Sequence, residues 1–149
     1  MKNLNQRLRE LLIGQQCINF RFVEGGTLII YLSPKTQNGK AQRRLWIDCA
    51  WRMRNKDAIT VGSIDDPSDV LESMQRLVGL FVESLSIDVR SGDLRLGFSG
   101  EIYIETFGYC NVMEHWEFRQ SDGLRLGVGP EYAAFESFAE PDSAESSWA

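Results

Sequence analysis

Trp51 and Trp116 stand 65 residues apart, and so do Arg54 and Arg119, Asp57 and Asp122, and Gly62 and Gly127. Between them Ile59 and Val61 match Leu124 and Leu126. Earlier in the chain Leu12-Ile13-Gly14 lies over Leu77-Val78-Gly79, and Cys17, Phe20 and Phe22 fall on Val82, Leu85 and Ile87. After a one-residue shift at a turn, Gly26-Thr27-Leu28 meets Gly92-Asp93-Leu94. Three clusters in the same order point to an internal repeat of about 65 residues. Whatever unit residues 1–65 build, residues 66–130 are expected to build again.

That unit reads as a helix followed by an antiparallel meander. Leu4, Leu8, Leu11 and Leu12 give one apolar helical stripe, and Val70, Leu71, Met74, Leu77 and Val78 give the second. Asp66-Pro67 supplies an N-cap and a proline at the first helical position, where a missing N–H costs nothing. Gly14 and Gly79 are placed to end the helices. In the strand region that follows, Ile18, Phe20 and Phe22 alternate with Asn19 and Arg21, and "EGGT" and "RSGD" are hairpin turn sequences. Residues 43–54 alternate without a break: Leu45, Ile47, Cys49, Trp51 and Met53 one way, Arg44, Asp48, Arg52 and Arg54 the other. One long half-buried strand is predicted there. "EIYIETF", "MEHWEFR" and "GLRLGV" are its expected counterparts and follower in the second half. Residues 33–44, with Pro, Gly, Asn and four basic side chains, read as a solvated loop.

The expected fold class is therefore α+β: an internal duplication of a helix plus antiparallel β-meander, with two helices against curved antiparallel sheet or sheets. Residues 1–130 are expected to form one domain of two pseudo-repeats, about 1–65 and 66–130, with 131–149 as an acidic C-terminal tail. Tyr132, Phe135 and Phe138 in that tail suit a short segment packed on the body.

Charge is divided along the chain. Residues 1–65 hold eleven Lys/Arg and five Asp/Glu, residues 66–130 hold five and eleven, and residues 131–149 add five acids and no base. Such polarity can serve docking of one half on the other, or it can steer a charged partner. "MKNLNQRLRELL" has no apolar signal core and the longest apolar run, around "LVGLFV", is too short to cross a bilayer, so a cytoplasmic protein is expected. Three cysteines, Cys17, Cys49 and Cys110, with no CxxC spacing, read as buried free thiols.

Candidate chemistry is sparse. The single histidine, His115, alternates against Trp116 and Phe118 and is expected at the surface. No paired His or Cys/His set offers a metal site, and no nucleophile elbow accompanies His115. "GVGP" at 127–130 lacks a phosphate-loop pattern and reads as a strand-ending turn. Glu101, Glu105, Glu114, Glu117 and Asp122 could do acid/base work, but they read as the solvated face of a sheet. Glu114 shares phase with Trp116 and Phe118, so that strand is read as beginning only at His115. No catalytic residue, cofactor or metal is assigned. Trp51 and Trp116 are expected core anchors. Trp46 lies on the polar side beside Arg44 and Arg52, where it could stack bases, but the acidic balance of the chain argues against nucleic acid and for packing under the tail.

What remains is a recognition surface. Asp88, Asp93, Glu101, Glu105 and Glu117, with Tyr103, Tyr109 and His115 among them, are the candidate partner-binding residues: aromatic anchors within a one-signed field. The pattern "LVG…SIDVRSGDLRLGFSG…IYIET…EHWEFR…DGLRLGVGP" resembles small bacterial proteins encoded near polymorphic-toxin and contact-dependent inhibition systems. Their signature is a helix ending Leu-x-Gly, a strand, "gDLxlxF", a later "exWxhr" and a final strand. It covers residues 70–130 best and 8–62 more faintly. The resemblance implies an immunity-type protein that binds a cognate toxin and masks its active site or substrate surface. It carries over no catalytic residue. The alternative is a ligand- or single-stranded nucleic-acid-binding module using the basic first half and Trp46.

Overall fold

The computed structural model describes residues 3–23, 25–108 and 115–138. The first half contains α1 (Leu4–Leu12), β1 (Cys17–Val23), β2 (Thr27–Lys35), β3 (Ala41–Ile47), β4 (Ala50–Arg54) and β5 (Ile59–Gly62). The second contains α2 (Pro67–Met74), a 3-10 turn (Gln75–Leu77), β6 (Val82–Ile87), β7 (Leu94–Phe98), β8 (Ile102–Phe107), β9 (Trp116–Gln120) and β10 (Leu124–Val128). A second 3-10 turn (Pro130–Tyr132) and β11 (Ala134–Phe138) follow. The molecule is thus mostly β with some helix.

Both helices start where a short polar side chain can satisfy an orphan N–H. Asn3 accepts from the Gln6 N–H, and Asp66 from the Ser68 N–H with Pro67 behind it. Past the helix ends, Gly14 and Gly79 turn the chain at φ 87° and 91°, a conformation that disfavours a Cβ. Leu4, Leu8 and Leu12 of α1 are buried as the stripe predicts. The α2 stripe is narrower than expected: Val70, Met74 and Leu77 are buried while Leu71 and Val78 are exposed. The helix tightens into the 3-10 turn after Met74, which brings Leu77 inward and leaves Val78 beyond the end.

The strands form two antiparallel sheets. The first has the order β1-β2-β3-β9-β10-β11, the second β5-β4-β8-β7-β6. Each takes three consecutive strands from one half of the chain and its next two from the other. The predicted long strand over 43–54 is therefore two strands in different sheets. The chain bends at Asp48 and Cys49, whose N–H groups both donate to the His115 carbonyl, at 2.9 and 3.0 Å. Leu45, Ile47, Cys49, Trp51 and Met53 are all buried across that bend. Alternation reports which side meets the core, and that side stays the same when the hydrogen-bonding partner changes. The loop predicted for 33–44 is likewise smaller. Ser33–Lys35 extend β2 and 41–44 open β3, which leaves a turn over 36–40 closed by Thr36 and Lys40.

One large core lies between the sheets and draws on both helices and both halves. Helix α1 packs on β6 and β10, and α2 on β1 and β5, so each bridges one sheet to the other. Among the described residues no helix packs on the outer faces of the sheets. Trp51 and Trp116 are core anchors, as expected, and each spends its indole N–H on a hairpin carbonyl: Gly26 at 2.7 Å and Gly92 at 2.8 Å. Hydrogen bonds also tie together the segments that follow the two helices. Gly14 N–H donates to Val82 O and Gly79 N–H to Cys17 O; Cys17 N–H donates to Leu80 O and Val82 N–H to Gln15 O. Gln16 and Phe81 form an isolated bridge between these segments. β11 is part of the predicted tail: it pairs with β10, sets Phe135 opposite Gly127, and ties Glu136 to Arg7 of α1.

Candidate functional site

The eight residues expected to bind a partner do not form one surface. His115, predicted at the surface, is 1% exposed. It sits in the crossover just before β9, outside the strand whose alternation placed it outward. Its ring meets Tyr132 edge-on at 4.8 Å between centroids and presses on Gly108, where a Cβ would stand 2.3 Å away. Glu117 does point outward from the first sheet, but it is buried rather than solvated, held by Arg119 at 3.0 Å and Arg125 at 3.5 Å. Asp88 and Asp93 belong to the β6–β7 turn. Asp88 accepts from the Ser91 and Arg90 N–H groups, which hold its carboxyl below the usual range. Asp93 accepts from the Gly108 N–H at 2.7 Å. Glu101 is exposed in the β7–β8 turn at φ 59°. Tyr109 lies outside the described residues, as do Glu114 and Cys110. Of those described, only Tyr103 and Glu105 share a strand face, the outer face of the second sheet.

That face is ordered by register. Arg52 of β4, Glu105 of β8, Arg95 of β7 and Ser86 of β6 stand in one row across the strands. Arg54, Tyr103, Gly97 and Ser84 form the next. Glu105 accepts from Arg54 Nε at 2.7 Å and Arg52 Nε at 3.2 Å, with Arg95 Nε at 3.9 Å. Arg54 and Arg95 stack on the Tyr103 ring at 4.4 and 4.7 Å, and Arg52 stacks on Phe107 at 4.6 Å. Gly97 makes room for this: a Cβ there would lie 2.1 Å from Ser84 Oγ and 3.1 Å from the Tyr103 ring. Three guanidiniums surround one carboxylate, so the patch carries an excess of two positive charges. The division of charge along the sequence predicted an acidic face here. The exchange of strands between halves overturns it, by setting Arg52 and Arg54 of the basic half beside Glu105.

The outer face of the first sheet differs. Ile29, Tyr31 and Ala41 are buried there in a second small cluster with Ile18 and Trp46 packed against it. Arg119 and Arg44 lie over the Trp46 ring at 4.6 and 5.5 Å, and its N–H donates to Asp48 at 2.8 Å. Guanidiniums thus occupy ring surface a stacking base would need. Trp46 was expected to pack under the tail, residues 131–149, of which residues 139–149 lie outside the described residues. Toward β11 this face has a depression of about 300 Å³ lined by Glu117, Arg119, Arg125, Pro130, Phe135 and Ser137.

Cys17 and Cys49 are buried free thiols; burial pushes them up to about 12 and about 11, against the usual 9.0. Neither is a thiolate at neutral pH. Among the described residues no cluster of three or more His, Cys, Asp or Glu could hold a metal ion, and no helix is long and apolar enough to cross a membrane. No protein-family model, curated protein or solved structure matches the chain.

Proposed function

We propose that this chain is a non-catalytic protein-binding domain, an immunity-type protein that binds and neutralises a cognate bacterial toxin in the cytoplasm. The observation that carries the reading is the outer face of the second sheet. On it Arg52, Arg54, Arg95, Tyr103 and Phe107 are held in fixed register by Glu105 and by stacking. Aromatic rings and arginines on a rigid support are the residue types that dominate protein recognition. Chemistry has less to work with, since the lone histidine is packed into the interior and the described thiols are protonated.

The body is read as a duplicated helix-plus-meander unit whose two copies exchange their last two strands. The reading is supported by the matched strand orders, the paired indole hydrogen bonds and the reciprocal bonds around Gly14 and Gly79. In this account the residues that recur build the scaffold, and the outer faces, where Arg95 replaces Ile29 and Glu105 replaces Trp46, carry specificity.

Co-purification with the product of the neighbouring gene tests the reading. A stoichiometric, salt-sensitive complex and protection of cells expressing that product are expected. Absence of both the complex and the protection would remove it.

A further inference from the structure

The three guanidiniums on the second sheet are only partly used. Glu105 is met through Nε of Arg52, Arg54 and Arg95. Among the described residues no acceptor meets the terminal Nη groups of the three. Their side chains remain 38%, 21% and 49% exposed, while Glu105 is 17% exposed. Arg52 and Arg54 on β4 and Arg95 on β7 flank β8 from either side, and its one carboxylate offsets only part of their mutual repulsion. The rings of Tyr103 and Phe107 fix the guanidinium planes in advance, so little side-chain entropy remains to be lost when an oxyanion arrives.

The geometry points to this array as a receptor for carboxylates on an acidic segment of a protein partner. The inference rests on the protein-binding reading and names the chemistry of the partner. Guanidinium forks match carboxylates in bidentate geometry. The array spans three strands, about 10 Å, which suits one or two carboxylates. Exposed acids lie on and between the strands of the same sheet: Asp57 in the β4–β5 turn, Glu83 on β6 and Glu101 in the β7–β8 turn. They repel a long polyanion such as single-stranded nucleic acid, whose binding needs a continuous basic track. The preferred toxin surface is therefore acidic at the point of contact, the opposite sign to that expected from the acidic second half.

The test uses the full chain, followed by NMR and calorimetry at low salt, with three probes: an octapeptide of alternating Glu and Tyr, its Lys/Tyr counterpart, and an eight-nucleotide oligo-dT. The acidic peptide should bind and shift the side-chain Nε resonances of Arg52, Arg54 and Arg95. Arg54→Ala and Arg95→Ala should each weaken it about tenfold, the loss of one charge-assisted contact, while Arg90→Ala in the exposed β6–β7 turn should not. Glu105→Gln should retain or tighten binding; were Glu105 itself the contact for a basic partner, the Lys/Tyr peptide would bind and this change would abolish it. No binding of the acidic peptide to folded protein, shifts confined to other residues, or tighter binding of oligo-dT would each overturn the inference. If a co-purified partner binds equally well to Arg54→Ala and Arg95→Ala, the inference fails and the protein-binding reading stands. If the peptide binds at the array and no toxin partner exists, the immunity reading fails alone.

Discussion

Cys17 and Cys49 show how a side chain's chemistry follows from where the fold puts it. A buried thiol ionises reluctantly because the thiolate loses its hydration, so both folded values lie above the usual 9.0. The sign is that of a group favoured in its protonated form by folding. Its contribution is complete below pH 9.0 and is lost as pH rises toward about 11 for Cys49 and about 12 for Cys17. The urea midpoint should therefore fall between pH 9 and pH 11, and Cys17→Ala should flatten that fall even if it lowers the midpoint at pH 7. An unchanged slope in the variant would contradict the assignment. Cys49 was legible as a buried thiol because it sits on the apolar phase of a strong alternation; Cys17 shares the phase of Asn19 and Arg21, and the register shift between Cys17 and Asn19 turns it inward. His115 was not legible as buried, because alternation carries no meaning one residue outside the strand; Gly108 was the available sign, a position where a ring could lie against bare backbone.

At the scale of elements, two glycines 65 residues apart stand under unequal constraint. Gly62 on β5 and Gly127 on β10 each stand opposite the outward residue that follows a core tryptophan, Arg52 and Glu117. A Cβ on Gly62 would approach Trp51 O at 3.3 Å, whereas one on Gly127 would reach Trp116 O at 2.4 Å and the Phe135 ring at 3.1 Å. Gly127→Ala must therefore move backbone and should cost about 1–3 kcal/mol, measured by chemical denaturation; Gly62→Ala should cost clearly less. Equal losses would mean that β11 does not pin β10. The helices and hairpins were legible because caps, glycines and apolar stripes act within a few residues. The division of residues 43–54 into β3 and β4 was not, since the break lies in partner choice and leaves the inward pattern continuous.

Across the whole molecule, the exchange of strands makes the halves interdependent. The first sheet needs β9 and β10 beside β3, and the second needs β4 and β5 beside β8. Fragments 1–65 and 66–149 should each lack cooperative unfolding alone and recover native near-ultraviolet circular dichroism when mixed, because Trp51 and Trp116, one from each fragment, are packed in the joint core. Cooperative folding of either fragment alone would contradict this. The same exchange decides the electrostatics: charges that are separated along the chain become neighbours at Glu105, so net charge by segment did not forecast the sign of a face.

By itself the sequence determined the local units and their order: two capped helices, the β-rich meanders and the inward tryptophans. Those are short-range matters, set by periodicity, turn chemistry and burial preference. Only the tertiary structure decided which strands pair, that there are two sheets, that His115 and Glu117 are buried, and that Arg52, Arg54 and Arg95 converge on one carboxylate. Pairing and charge contact are long-range, and the backbone hydrogen bonds that choose a strand's neighbour are the same for every residue type.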